Sequence, residues 1–208
     1  YFGIFSECTG LTSAPELPAN VLANNCYGWM FKGCSALTSA PELPATEMGP
    51  YCYNGMFANC TKLTSAPELP AKRLESNCYN CMFEGCTSLT SAPELPATYL
   101  VRECYHSMFN GCTSLASAPK LPATTLGWGC YSEMFQGCTS LTSAPELPAK
   151  ELIRNCYQLM FKDCSKLRYV KALFTTSPSE ETTKDWLSGV AASGTFVKSK
   201  NATWNVTG

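Results

Sequence analysis

The stretch LTSAPELPATYLVRECYHSMFNGCT, residues 89–113, decides the fold because the chain repeats it almost unchanged. Its first nine residues recur every 26 positions, at 11–19, 37–45, 63–71, 89–97 and 141–149, with the variant LASAPKLPA at 115–123. A fixed period of about 20–50 residues is typical of solenoid proteins, in which each unit contacts only its neighbours. The sequence therefore predicts a stack of similar coils.

Each unit divides into a predicted strand and a predicted helix. The segment 89–95 begins and ends with leucine and contains Thr and Ser, which suit a strand, while Pro93 excludes a helix. Because proline has no N–H, prolines stacked in every coil should interrupt the ladder and leave strands of about three or four residues. In the segment 104–111, Cys, Tyr, Met and Phe fall on one arc of a helical wheel, with His106 and Ser107 opposite. Gly111 would then supply the left-handed end of the helix.

These assignments predict an α/β fold, a right-handed solenoid of 26-residue units with one short parallel strand and one short helix per coil. Residues 1–166 would form the solenoid, as one partial repeat followed by six full repeats. Residues 1–10 align with the second half of a unit, so we expect the chain to begin within a repeat. Residues 167–208 would form a C-terminal capping segment, because the last coil needs cover.

The predicted capping segment has its own pattern. LRYVKALF at 167–174 keeps the leading leucine but lacks the prolines, and GTFVK at 194–198 is rich in β-formers, so both are predicted strands. SPSE at 177–180 predicts a helix start, with the first serine as N-cap and the glutamate closing a capping box. That helix should reach about residue 188, and Trp186 and Trp204 should anchor the segment.

Thirteen of the fourteen cysteines fall in two columns that repeat once per unit. The first column holds Cys26, Cys52, Cys78, Cys104, Cys130 and Cys156, and the second holds Cys8, Cys34, Cys60, Cys86, Cys112, Cys138 and Cys164. Residues repeated once per coil stack at about 4.8 Å. We expect two ladders of buried free thiols, since free cysteine packs as a small hydrophobe. Disulfides between neighbouring rungs are the alternative.

Composition and motifs exclude several classes of function. Fifteen Lys and Arg against sixteen Asp and Glu, with no block of like charge, argue against nucleic-acid partners. No apolar run approaches the roughly 18 residues of a membrane span, so no membrane insertion is expected here. His106, the single histidine, is predicted to lie on the surface. Cys78 and Cys81 have CxxC spacing but should face apart, with Cys81 at the surface. The sequence predicts no catalytic residues, no metal site and no cofactor.

One column of the repeat is acidic. It holds Glu16, Glu42, Glu68, Glu94 and Glu146, with Lys120 interrupting. Like charges about 5 Å apart repel by roughly 1 kcal/mol in water before screening by salt. Such an acidic ladder has the chemistry to bind divalent cations or a basic partner. A solvated edge that discourages lateral aggregation is the interpretation we favour.

The units differ from one another mainly in the turn and on the outer face of the predicted helix. Large or ionisable residues occur there at Trp29, Tyr51, Tyr99, His106 and Trp128. Aromatic side chains in variable, exposed places are more typical of interfaces than of idle surface. We therefore predict a binding surface on this side. Neutral drift of an unconstrained surface is the alternative.

The motifs LxSAPxLPA and CYxxMFxGC, followed by DWLSGVAASGTFVK at 185–198, resemble the BspA-type leucine-rich repeat proteins of gut Bacteroidales. The resemblance covers 1–166 as repeats and 167–208 as the terminal segment, although the unit here is longer than the usual one. It implies a leucine-rich-repeat solenoid and a bacterial, exported, non-enzymatic protein at the cell surface or outside the cell, with reduced cysteines. It also implies binding or adhesion to a protein or glycan. The alternative is a structural spacer or fibre segment of a larger surface or viral assembly.

Overall fold

Regular secondary structure is sparse in this computed structural model, which describes residues 1–204. Its elements are β1 (Val21–Leu22), β2 (Glu47–Met48), β3 (Ser143–Leu147), β4 (Tyr169–Ala172), α1 (Glu180–Thr183) and β5 (Thr195–Lys198). The strands form two small parallel sheets, β1-β2 and β3-β4-β5. Since Val21 pairs with Glu47, and Ser65 with Ser91, each coil lies on the equivalent part of the next. The fold is a repeat solenoid.

The predicted helix in each unit is wrong, because the segment 104–111 and its equivalents consist of consecutive turns. Alternate N–H groups there leave their own coil. Ser107 N–H donates to Ser132 O at 2.8 Å and Phe109 N–H to Met134 O at 2.9 Å, both in the following coil. Between them, Met108 N–H closes a local turn on Tyr105 O at 3.3 Å. The helical i→i−4 ladder is therefore replaced by bonds that join one coil to the next.

These bonds form unbroken chains of peptide groups along the stack. The peptide that joins Met108 to Phe109 accepts a hydrogen bond from Phe83 N–H at 2.9 Å and donates one to Met134 O at 2.9 Å. The same contact recurs from Phe5 in the first coil to Phe161, whose N–H donates to Trp186 O at 2.9 Å. Hydrogen bonds linked in this way polarise and strengthen one another.

A left-handed backbone conformation allows these N–H groups to point toward the next coil. The glycine column is left-handed as predicted, with φ of 71° at Gly33 and 73° at Gly111, and its substitute Asn59 has φ of 61°. The structure adds three further left-handed columns that the sequence did not indicate, represented by Asn25 at 59°, Tyr53 at 59° and Ser107 at 51°. Such a conformation costs a non-glycine residue about 1–2 kcal/mol, which the bonds between coils must offset.

Proline interrupts the strand ladder as predicted, but the predicted strand of three or four residues per coil is wrong for units one to five, where this segment holds no strand. In units three and four the prolines reduce the pairing to one isolated bridge, Ser65 to Ser91. A threonine hydroxyl partly compensates, since Thr90 Oγ1 donates to Thr64 O at 3.3 Å. The five-residue β3 is longer than predicted and forms where its neighbour β4 carries no proline. A full N–H complement in one of two facing strands is therefore enough for a ladder.

A second short ladder lies in the turn and was not predicted. β1 pairs with β2 in parallel, and an isolated bridge joins Tyr99 to Thr125 at the equivalent place. The sequence does contain a pattern for this ladder, because in every unit an exposed variable residue is followed by a buried apolar one. Those buried residues are Leu22, Met48, Leu74, Leu100, Leu126 and Leu152. Alternation over only two or three residues is too short to separate a strand from a loop by pattern alone.

The core is one continuous interior in which like residues stack on like. Tyrosine rings repeat at centroid distances such as 5.8 Å for Tyr53–Tyr79, and phenylalanine rings at 5.6 Å for Phe57–Phe83, with nearly parallel planes. Methionine and cysteine columns lie in the same buried cluster. Stacked rings at this spacing combine burial of apolar area with the offset packing that aromatic pairs favour. The predicted interior of sulfur and aromatic rows is confirmed.

The segment after residue 166 continues the hydrogen-bond pattern of the repeats. Carbonyls of this segment accept hydrogen bonds from the N–H groups of the last repeat that point along the stack. Leu159 N–H donates to Lys184 O at 2.9 Å, and Asp163 N–H donates to Ser188 O at 2.7 Å. Strands β4 and β5 appear where the sequence predicted them and pair in parallel. Trp204 is 6% exposed, and its Nε1 donates to Phe174 O at 3.3 Å. Residues 205–208 of the predicted capping segment lie outside the described residues.

The predicted bounds of the terminal helix are wrong at both ends. α1 begins after Ser179 instead of Ser177, and the backbone N–H of Ser179 donates to Thr182 Oγ1 at 3.0 Å. The helix has four residues, and turns follow it to Gly189. It stops early because the carbonyls of this segment bond to the preceding coil and are not free for a helical ladder.

Candidate binding surface

The rings of Trp29 and Trp128 are contacted by other residues of the same chain. The Trp29 ring lies so close to Gly55 that a Cβ at that glycine would come within 2.8 Å of it, and Lys32 Nζ lies 4.5 Å from the ring centroid. The Arg102 guanidinium lies 4.3 Å from the Trp128 centroid. These cation–π contacts occupy ring surface that a ligand would otherwise use.

Tyr51 and Tyr99 are the most open of the predicted surface residues, with 44% and 61% of their surface exposed. His106 is half-buried, as are the two tryptophans. The structure does not bring the five residues together. Trp29 lies in the first full unit and Trp128 in the fifth, on the order of 20 Å apart at the ordinary spacing of strands. The predicted surface is therefore a series of separate positions along the stack.

A polar cluster lies at the middle of this side and was not predicted as a unit. Ser107 Oγ donates to Glu133 Oε2 at 3.2 Å and lies 3.4 Å from His106 Nε2. Asn110 Nδ2 donates to the same carboxylate oxygen at 3.5 Å. The prediction that Ser107 faces outward is wrong, since it is 3% exposed. Its left-handed backbone turns it inward, which a helical wheel does not represent.

Cys81 belongs to the same column as Ser107 and Glu133 and is half-buried, so its prediction as a surface thiol is wrong. Burial first, and the nearby Glu84 carboxylate second, raise the pKa of the Cys81 thiol well above its ordinary value. The thiol is therefore protonated at neutral pH and a weak nucleophile. Its CxxC neighbour Cys78 is fully buried and donates to Gly49 O at 3.4 Å.

The cysteine columns are ladders of free thiols. In the second column each thiol from Cys34 onward donates to a phenylalanine carbonyl of the preceding coil, as in Cys112 Sγ to Phe83 O at 3.1 Å. The prediction of burial is wrong for the first member of each column, since Cys8 is exposed and Cys26 is half-buried. Burial raises the pKa of Cys104 to about 12 and that of Cys156 to about 11. Within residues 1–204 no group of three His, Cys, Asp or Glu side chains is placed to hold a metal ion.

The acidic ladder is exposed along its whole length. Over residues 1–204 the ion pairs are Arg102–Glu103 at 3.4 Å and Lys171–Glu146 at 2.6 Å. Lys171 thus pairs with the last glutamate of the ladder, and the hydrogen bond between them raises the pKa of Lys171. The other four ladder glutamates have no ion-pair partner within the described chain.

Two open grooves adjoin one another, one beside the acidic ladder and one in the turn, where the lining residues Glu47 and Arg73 belong to the same column as Tyr99. One of about 440 Å³ is lined by Pro67, Pro70, Pro93, Pro96 and their neighbours, including Glu68 and Glu94. The other, of about 520 Å³, adjoins it at Pro70 and Lys72 and reaches back to Thr46–Met48. The proline columns predict an interrupted ladder, and a pattern within one unit does not indicate grooves between units.

The comparison with known families agrees with this architecture. The profile described as BspA type leucine rich repeat region matches residues 2–115 and 53–177, with six copies of the repeat. The chain belongs to the BspA-type leucine-rich-repeat family. Proteins of the BspA type are commonly surface-associated repeat proteins involved in binding. Neither a curated protein nor a solved structure matches the chain significantly. In residues 1–204 no helix has the length and apolar character needed to span a membrane.

Proposed function

We propose that this BspA-type chain is a non-enzymatic protein of the bacterial cell surface, or secreted, that binds or adheres to a protein or glycan. Family membership supports the proposal, as does the contrast between interior and surface within one chain. The Tyr, Met, Phe and Cys columns hardly change from coil to coil, while the outward positions differ in every unit. Packing accounts for the constant columns, and recognition accounts for side chains as large and exposed as Tyr99.

An array of glycans and extracellular-matrix proteins, probed with the purified chain, tests this proposal. We expect at least one ligand class to bind, and the double variant Tyr51→Ala, Tyr99→Ala to weaken that binding about tenfold or more. Tyr169→Ala is the matched control, because Tyr169 is an exposed tyrosine outside the repeats. Equal binding by the double variant and the control would contradict a recognition role for the outer side.

The proposal includes the finer features of the fold that the resemblance implies, namely right-handed coils of 26 residues closed by a cap at 167–208, in a protein of gut Bacteroidales. The pairing of residues 26 positions apart supports the unit length. The hydrogen bonds from N–H groups of the last repeat to carbonyls of residues 181–188 support the cap. A crystal structure of the chain would test all three geometric features.

A structural spacer or fibre segment is the second candidate. The uninterrupted aromatic stacks favour it, since they give the chain a uniform, stiff interior from the first coil to the last. A spacer should find no ligand on the array and should resist stretching in single-molecule force measurements. We propose no catalytic activity and no cofactor for either role.

A further inference from the structure

The larger of the two grooves lies on the side of the predicted binding surface. Two neighbouring coils line it, with Thr46, Glu47 and Met48 on one wall and Pro70, Lys72, Arg73 and Glu75 on the other. Tyr51 adjoins the groove, because its N–H donates to Ser76 O at 2.9 Å, next to Glu75. Tyr99 follows Arg73 in the same column of the repeat, one coil further along. The two most open tyrosines therefore lie on the two sides of the groove along the stack.

The lining of this groove offers hydrogen-bond donors and acceptors together. Lys72 and Arg73 supply donors. Glu47 and Glu75 supply acceptors, and all four side chains are exposed. Over residues 1–204 none of the four belongs to an ion pair, so their hydrogen-bonding groups are free for a ligand. Two positive and two negative charges cancel, and the groove therefore favours neither a basic nor an acidic ligand.

We propose that this groove binds a neutral oligosaccharide, with Tyr51 and Tyr99 packed against its sugar rings. The inference rests on the proposed function of this side and names its ligand class. A sugar hydroxyl both donates and accepts, so it pairs equally well with a carboxylate and with a cation. The C–H face of a sugar ring is apolar and packs on an aromatic ring. The groove volume of about 520 Å³ lies within the roughly 300–1,000 Å³ that is ordinary for small-ligand sites.

A protein partner fits this lining less well than a sugar. The centre of a protein interface is depleted of charged residues and is formed by apolar anchors. Here four of the seven lining residues are charged, and the apolar ones are Pro70 and Met48, which is 8% exposed. An apolar anchor would displace water from the charged groups without replacing its hydrogen bonds. Sugar hydroxyls replace those bonds, which favours the oligosaccharide.

An array of neutral, uronic-acid and sulfated oligosaccharides and of matrix proteins, probed with the intact chain, tests the ligand class. We expect at least one neutral oligosaccharide to bind, and no acidic one to bind more tightly. Fluorescence anisotropy with the labelled neutral sugar should give the same affinity from about 50 to 500 mM salt, because no net charge is neutralised. Binding confined to acidic glycans or to proteins would overturn this inference and leave the proposed function intact. No binding to any of them would overturn both.

Substitutions that keep the net charge locate the site. The double variant Glu47→Ala, Arg73→Ala should lose about tenfold in affinity for that oligosaccharide, because it removes an acceptor and a donor from opposite walls. Lys150→Ala, Glu151→Ala is the matched control, since these exposed residues occupy the equivalent turn of the last full unit, outside the groove. Circular dichroism checks that both variants are folded. Equal binding by the two variants would overturn the inference. If the tyrosine double variant still weakens binding, the proposed function stands without this groove.

Discussion

Five tyrosine hydroxyls lie in the interior without a hydrogen-bond partner in the described chain. They belong to Tyr53, Tyr79, Tyr105, Tyr131 and Tyr157. The ring of each is stacked on its neighbours, as Tyr79 is on Tyr105 with centroids 6.0 Å apart. Burial of an unpaired hydroxyl costs about 1–3 kcal/mol, which stacking and apolar burial must exceed. The hydroxyl therefore lowers stability, and the ring supplies the stabilising contribution.

Tyr105→Phe should leave the free energy of unfolding unchanged or raise it by about 1 kcal/mol, because it keeps the ring and removes the unpaired hydroxyl. Tyr105→Ala should lower it by about 3–5 kcal/mol, since a large cavity would remain. Urea denaturation followed by circular dichroism measures both changes. A loss of more than about 1 kcal/mol in the phenylalanine variant would mean that the hydroxyl makes a stabilising bond.

The turn segments depend on a few left-handed residues more than on helix propensity. Gly111 has φ of 73°, and a Cβ there would meet only the Gly85 backbone, no closer than 3.7 Å. Space is therefore available for a side chain, and the cost of a substitution is conformational. The same column accepts asparagine at Asn59, where φ is 61°.

Gly111→Ala should lower the free energy of unfolding by about 1–2 kcal/mol, and Gly111→Asn by less, because asparagine tolerates the left-handed region better. Thermal denaturation of the two variants and the wild type measures which substitution lowers stability more. Gly127→Ala provides a contrast, since its Cβ would lie 2.4 Å from a Val101 backbone atom and should be worse than either. If alanine and asparagine at 111 cost the same, backbone conformation would not be the cause.

The sequence predicted the repeat, the buried columns and the strands β4 and β5, because these depend on side-chain direction and on the presence of proline. The sequence did not predict the turns that replace the helices, or the first residue of α1, because these depend on which backbone group each N–H and carbonyl bonds to. Tyr105, Met108 and Phe109 point inward in a helix and also in a run of alternating turns, so the hydrophobic pattern does not distinguish the two. For α1, both Ser177 and Ser179 begin a capping sequence, and only the preceding coil selects the second.

For the candidate surface, the sequence predicts the direction of the side chains but not how far each is covered. The exposure of Tyr51 and Tyr99 agrees with the prediction of outward side chains. Trp29 is covered by Lys32, three residues later in the same turn segment, and by Gly55 of the next coil, which only the fold brings to it. The two grooves lie between neighbouring units, so no single unit contains a pattern that predicts them.

At the scale of the whole molecule, the ladders link stability to alkaline pH. An ordinary thiol has a pKa of 9.0, whereas burial holds Cys156 at about 11 and Cys104 at about 12. Above pH 9 the unfolded chain loses thiol protons that the folded chain retains, so the folded state binds more protons. Stability is therefore constant with respect to these groups below pH 9 and falls as pH rises from about 9 to 12.

In reducing buffer the free energy of unfolding should be similar at pH 7 and 8 and clearly lower at pH 10. In the variant Cys8→Ala, Cys26→Ala, which removes the exposed and the half-buried column thiols, thiolate absorbance should appear together with loss of circular dichroism, because the buried thiols ionise only on unfolding. Guanidinium titrations at each pH give the free energy. Thiolate absorbance that rises while the fold remains intact would show that the columns are accessible to hydroxide.

The peptide chains that run from Phe5 to Trp186 give the molecule an electrical polarity. In each of them the N–H group faces the terminal segment and the carbonyl faces residue 1, so the peptide dipoles add as they do in an α-helix. The end near residue 1 is the negative pole and the terminal segment the positive one. Molecules of this kind should align in an electric field, and transient electric birefringence should exceed that expected from the arrangement of the charged side chains alone.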